Sequence, residues 1–85
     1  MIKSVYTLVV FFFISIEVNA QQNFLNEAND KFENRQYFTA IPLYKRAFEK
    51  ETVKAKKTLI IFRIAECYRV MGDYEQSEVW YNKAV

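Results

Sequence analysis

Hydrophobic and polar positions divide the chain into one dense apolar run and four periodic segments. Val5 to Ile16 is a mostly apolar stretch of 12 residues. From Gln22 to Asn34, Phe24, Leu25, Ala28 and Phe32 fall at helical spacing among Asn26, Glu27, Asp30 and Lys31, which predicts an amphipathic helix. Asn34, Arg35 and Gln36 form a polar break. Tyr37, Ala40, Ile41, Tyr44, Ala47 and Phe48 then follow spacings of three and four, which predicts a second helix packing back on the first.

Pro42 stands inside this second pattern, where a proline removes a donor and crowds the carbonyl four residues earlier, costing about 3 kcal/mol if fully interior. A late helix start or a bend in its first turn is expected, with Thr39 as an alternative N-cap. Glu49 to Lys57 is the most polar stretch and holds Lys50, Lys54, Lys56 and Lys57. It reads as a fraying helix end, a solvated loop and the first turn of the next helix.

From about Ala55 to Met71 the apolar residues Leu59, Ile60, Ile61, Phe62, Ile64, Ala65, Tyr68 and Val70 wrap much of a helix, so this should be the most buried one. Gly72 ends it, and Asp73 with Gln76 three residues on has capping-box spacing, starting the fourth helix near Tyr74. Its inward face should carry Tyr74, Ser77, Trp80, Tyr81 and Ala84. The pattern runs to Val85 without a stop signal, so the second hairpin reads as truncated.

These segments repeat. Ala28, Tyr37, Tyr44 and Ala47 are matched 37 residues later by Ala65, Tyr74, Tyr81 and Ala84, and such a period marks stacked helical hairpins. The expected fold is all-α, two antiparallel helical hairpins: 1–20 a signal peptide, 21–50 the first hairpin, 51–57 a linker and 58–85 the second.

The apolar run changes the picture of where the chain works. Lys3 precedes it and Val18, Asn19 and Ala20 follow, the pattern of a secretory signal peptide cleaved after Ala20, with Glu17 a departure. Glu17 and Asn19 stop the run short of the roughly 18 apolar residues that a spanning helix needs. No cysteine follows it to carry a lipid. The competing reading keeps the N-terminus uncleaved as an anchor.

Composition narrows the chemistry. A net charge of +2 from 12 basic and 10 acidic residues is too weak and mixed for a nucleic-acid footprint. The chain has no His, which excludes His-based zinc sites and His-dependent triads, and its single glycine excludes a phosphate loop. Glu75 and Glu78 read as a solvated pair. Cys67 is the one cysteine, so no internal disulfide can form, and its place between Ala65 and Tyr68 reads as a small core residue. No enzyme activity, no metal and no cofactor are expected.

The hairpins resemble the tetratricopeptide repeat. The second unit carries Ala65 and Tyr68, the turn Gly72, Asp73 and Tyr74, and then Trp80, Tyr81 and Ala84; the first carries Phe24, Ala28, Tyr37, Ala40, Tyr44 and Ala47. Ala28, Ala40 and Ala65 would let paired helices approach closely. The departures are Glu27, Lys31, Arg35 in place of the turn glycine, and Ser77. The period also exceeds the family's roughly 34 residues by about three, which implies an extended connection. A signal peptide leading into such repeats, with Ala40 to Tyr44 reading Ala-Ile-Pro-Leu-Tyr, is also similar to the start of OmpA-like envelope proteins of Gram-negative bacteria.

The resemblance implies a ligand groove lined by the first helix of each unit. It nominates Leu25, Asn29, Phe32, Phe62, Glu66 and Arg69, with Gln22, Glu33, Leu59 and Val70 around them. Leu25, Phe32, Leu59 and Phe62 have a competing role in packing the hairpins, whereas Asn29, Glu66 and Arg69 are polar and free to select a partner. Leu25 stands where a clamp for C-terminal carboxylates would need a basic residue, which disfavours that ligand. The implied function is an exported protein-protein interaction module or scaffold of the bacterial envelope, in the periplasm or at the outer membrane, docking a peptide or partner helix. The alternative is the N-terminal repeat appendage of a larger envelope enzyme or peptidoglycan-binding protein. Membrane contact would be confined to the signal peptide during export. Two units fall short of the three that such stacks need, so poor stability or self-association through Trp80 and Tyr81 is expected.

Overall fold

The computed structural model describes residues 23–84. The apolar run, the cleavage site and the groove nominee Gln22 lie outside the described residues. Within them the chain is all-α. Helix α1 is helical over residues 23–33, α2 spans Tyr37–Lys50, α3 spans Lys54–Val70 and α4 spans Tyr74–Lys83. α1 pairs with α2 through a ring contact of Phe32 with Tyr37 and, farther along, the cation of Arg46 over Phe24, an order that makes the hairpin antiparallel. α3 packs on both α2 and α4. No described helix is long and apolar enough to cross a membrane.

Both hairpin turns are built the same way. At the end of α1 the N–H of Gln36 donates to the Lys31 carbonyl at 2.8 Å and that of Arg35 to Phe32 at 3.0 Å; at the end of α3, Asp73 donates to Tyr68 at 2.9 Å and Gly72 to Arg69 at 3.0 Å. These six-to-one and five-to-two bonds are a Schellman motif, which satisfies carbonyls a helix end leaves without partners. The motif needs a left-handed residue, and Gly72 at φ 85 and Arg35 at φ 62 supply it. The 37-residue echo therefore extends to the backbone, including the position where arginine stands in one turn and glycine in the other.

The expected late start of α2 is not what forms. Gln36 is its N-cap without a side-chain bond, Thr39 lies inside the helix, and Pro42 is interior. Pro42 and Phe38 both face solvent, so water can serve the Phe38 carbonyl that loses its partner. The connection is also shorter than predicted. Residues 51–53 link α2 to α3, the Glu51 carboxylate accepting from the N–H groups of Thr52 and Val53, and residues 54–57 are already helical. The extra length of the period is absorbed as helix rather than loop. Asp73 caps α4 as its spacing predicts, accepting from the Gln76 N–H at 3.2 Å.

The core joins Ala28, Ala40, Ile41, Tyr44, Ala47, Ile60, Ile61, Ile64, Ala65, Cys67 and Trp80. Ala28, Ala40 and Ala65 have no exposed surface, as close helix approach requires. Two expectations for α4 need correction. Tyr74 is 70% exposed instead of facing inward, because at the first helical position it points past the packed face. Trp80, expected to remain partly open, is 9% exposed: Phe48 meets its ring edge-on at 6.2 Å and the Lys45 and Lys83 ammonium groups cover it.

The turns generate opposed predictions. Arg35→Gly should raise stability by about 1 kcal/mol, since glycine carries no left-handed penalty, and Gly72→Ala should lower it by about 1 kcal/mol even though a Cβ there meets nothing within 4 Å. Urea unfolding of both variants checks the pair; equal effects of one sign would contradict it.

Candidate functional site

A cleft of about 280 Å³ opens between α1 and α3. Leu25, Asn29, Phe32 and Glu33 come from α1, Tyr44 from α2, and Lys56, Leu59, Ile60 and Arg63 from α3. The spacing explains the α3 wall: 56, 59, 60 and 63 stand at i, i+3, i+4 and i+7, one face of a helix. Phe32 fixes the centre, meeting Tyr37 and Tyr44 edge-on at 5.5 and 6.3 Å, and the Arg63 guanidinium lies 4.4 Å from its ring centroid.

Tyr44 is fully buried, and its hydroxyl donates to the Asn29 side-chain oxygen at 2.5 Å. Burial pushes its phenol up to about 12. Asn29 is thus a structural partner as well as a cleft residue, and the expectation that it is free for a ligand holds only for its amide donors. Burial also raises the Cys67 thiol to about 11, which fits an inert core residue.

The other three nominees assemble elsewhere. Phe62, Glu66 and Arg69 lie on the α4 side of α3: the Phe62 ring meets Tyr81 at 5.9 Å, Tyr81 donates to Glu66 at 2.9 Å, and Arg69 pairs with Glu66. The Arg69 and Tyr81 hydrogen bonds hold the Glu66 carboxyl below its ordinary range. The two hydrogen bonds are copies, since Tyr44 with Asn29 becomes Tyr81 with Glu66 at the same offset. The nominated residues thus occupy equivalent positions in the two units, three lining the α1–α3 cleft and three packed toward α4. Glu66 and Arg69 are engaged with each other, not free.

Lys56, Arg63 and Tyr44 were missed. Lys56 sat in a charge run read as solvated, at the first turn of the next helix, and Lys57 of the same run covers the Phe48 ring at 5.2 Å. The periodicity of Lys56, Leu59, Ile60 and Arg63 was the available signal. A second cleft of about 410 Å³ lies between α2 and the end of α3, but its two charges are already used: Lys45 donates to the Tyr68 hydroxyl at 3.0 Å and Asp73 caps α4. Among the described residues no group of His, Cys, Asp or Glu could hold a metal ion.

Comparison with family models, with curated proteins and with solved structures finds no match to this chain.

The buried hydroxyl and thiol predict alkaline sensitivity. Both groups have folded values above their ordinary 10.0 and 9.0, so the stability that their neutral forms contribute is complete below pH 9 and is lost as pH rises toward 11 and 12. Tyr44→Phe should cost about 1 kcal/mol at neutral pH through the lost hydrogen bond, and should flatten the decline above pH 10. Unfolding curves from pH 7 to 12 test this; a variant as pH-sensitive as the parent would count against Tyr44 as the source.

Proposed function

We propose that this chain is an exported, tetratricopeptide-type interaction module of the bacterial envelope, periplasmic or at the outer membrane, that docks a peptide or partner helix in the cleft between α1 and α3. The observation that carries this reading is the make-up of the cleft: Leu25, Phe32, Leu59 and Ile60 give an apolar floor, and Asn29, Glu33, Lys56 and Arg63 a polar rim. Apolar anchors with a few convergent polar groups are what peptide docking uses. Leu59 is 59% exposed at the mouth, where an incoming side chain would cover it.

Charge selects the ligand further. Glu33 gives one negative group against the two positive groups of Lys56 and Arg63, and neither cation makes a salt bridge among the described residues, although Arg63 lies close enough to Glu66 to help lower its carboxyl. The preferred segment carries an aliphatic side chain next to a side-chain carboxylate. Export is supported by the sequence of residues 1–20, and the repeat identity by the 37-residue recurrence of turn geometry and of the tyrosine hydrogen bond. The role is binding rather than catalysis.

Selection of random short peptides displayed against the chain tests the reading. The enriched peptides should be acidic and aliphatic, Leu59→Asp should weaken them at least about tenfold, roughly the 1.4 kcal/mol of one lost anchor, and Glu78→Lys on α4 should leave them unchanged. Peptides that bind the Leu59→Asp variant as well as the parent would reject this cleft as the site.

A further inference from the structure

Asn29 lines the cleft, and its hydrogen bond with Tyr44 decides which of its atoms a ligand meets. The side-chain oxygen accepts from the Tyr44 hydroxyl, which leaves the amide N–H groups for the cleft. A short contact alone does not set that direction, because a hydroxyl can also accept and an amide can turn over. The second unit sets it. Tyr81 and Glu66 stand 37 residues after Tyr44 and Asn29 and make the same bond, and an ionised carboxylate can only accept. The tyrosine in this place therefore donates. In the first unit it claims the Asn29 oxygen, and no other group among the described residues takes the amide N–H groups.

The neighbours of Asn29 narrow what those donors meet. On α1, Leu25 stands four residues before it and Phe32 three after, so the amide lies in the apolar part of the cleft, whereas Lys56 and Arg63 rise from α3. A ligand carboxylate goes to the two cations. The acceptor that accompanies an aliphatic side chain seated beside Leu25 and Phe32 is a neutral one, the main-chain carbonyl of the ligand. A helix spends its carbonyls on its own N–H groups four residues on and frees them only in its last turn. An extended segment keeps one free at every residue.

We infer, on the docking reading above, that Asn29 donates to a main-chain carbonyl of the docked segment, so the cleft takes an extended peptide rather than a partner helix. Tyr44 is the positioning residue that aims the amide. Without its hydroxyl the amide is free to turn its oxygen toward the cleft, where it repels the carbonyl that the N–H groups attract. The second unit shows that a carboxylate can replace the amide in this bond, and there the outward donor is gone: Glu66 only accepts, from Tyr81 and from Arg69.

The probe is the tightest-binding peptide of the display selection, resynthesised as a series in which each main-chain amide in turn becomes an ester, whose carbonyl is a poor acceptor. At one position the ester should raise the dissociation constant for the parent chain about fivefold, the worth of one neutral hydrogen bond. Asn29→Asp keeps an acceptor for Tyr44, as Glu66 does for Tyr81, and removes the donors. It should retain helical circular dichroism and lose the ester penalty, and Asn29→Ala, which adds no charge, should lose it too. Tyr44→Phe should bind the peptide more weakly and show a penalty below about twofold, since its amide is no longer aimed. A merely structural Tyr44 would weaken every member of the series by one factor and leave the penalty in place. A series with no ester-sensitive position, or a penalty undiminished by the changes at Asn29 or at Tyr44, would overturn the assignment. Peptides that ignore Leu59→Asp would instead remove the docking function, and this contact with it.

Discussion

Tyr44 is the constraint on which both the fold and the cleft depend. It is fully buried where α1, α2 and α3 meet, so its hydroxyl must find a partner inside the protein, and Asn29 is that partner. Its ring leans edge-on against Phe32, which in turn carries the Arg63 guanidinium. One side chain from the second helix therefore sets the position of two cleft residues on the first. Ala40 and Ala47, four residues before it and three after, let α2 come close enough for that reach.

The recurrence at 37 residues is a recurrence of constraints more than of residue types. The left-handed turn position is Arg35 in one hairpin and Gly72 in the other, yet both close the same pair of backbone bonds. The acceptor of the tyrosine hydroxyl is an amide in one unit and a carboxylate in the other, at the same place. What changes is the surroundings. Phe32 becomes Arg69 and Ile41 becomes Glu78, both exposed in the second hairpin. Phe32 and Ile41 are covered by neighbouring helices and are apolar, whereas their exposed counterparts carry charge.

The helices were legible in the sequence because apolar residues recur at three and four positions and because Gly72 and Asp73 mark a stop and a start. The turn at Arg35 was harder to read, since nothing in an arginine announces a left-handed backbone; only the alignment with Gly72 does. Pro42 misled in the opposite direction, its exposed position making an interior proline tolerable in α2. In the cleft, Leu25, Asn29 and Phe32 were nominated by the resemblance to the tetratricopeptide repeat, the helix pattern giving only that they lie on α1. Lys56 and Arg63 could not be read from charge, because a cation on a helix looks solvated until the aromatic ring or cleft beneath it is known. α3 complicates the reading further. It meets α1, α2 and α4 on different faces, so its sequence shows no single apolar stripe, and the nominated positions 62, 66 and 69 fell on the face toward α4.

A chain with one cysteine and a small core needs some other way to protect its aromatic residues, and here basic side chains provide it. Lys45, Arg46, Lys57, Arg63 and Lys83 each lie over a ring, of Tyr68 and Trp80, Phe24, Phe48, Phe32 and Trp80 respectively. Each such contact is worth about 0.5–1 kcal/mol at an exposed site, and the aliphatic stems cover apolar surface as well. These cations are used in packing. Arg63 belongs to both roles, covering Phe32 and charging the cleft rim. On the proposed docking function, a carboxylate that drew Arg63 off the ring would uncover Phe32, so a segment of that kind would have to cover the ring itself. An acidic group alone cannot do so, and an acidic group beside an aliphatic side chain can. The cation-π contact of Arg63 with Phe32 thus ties the packing of α1 on α3 to the chemistry of the proposed docking cleft.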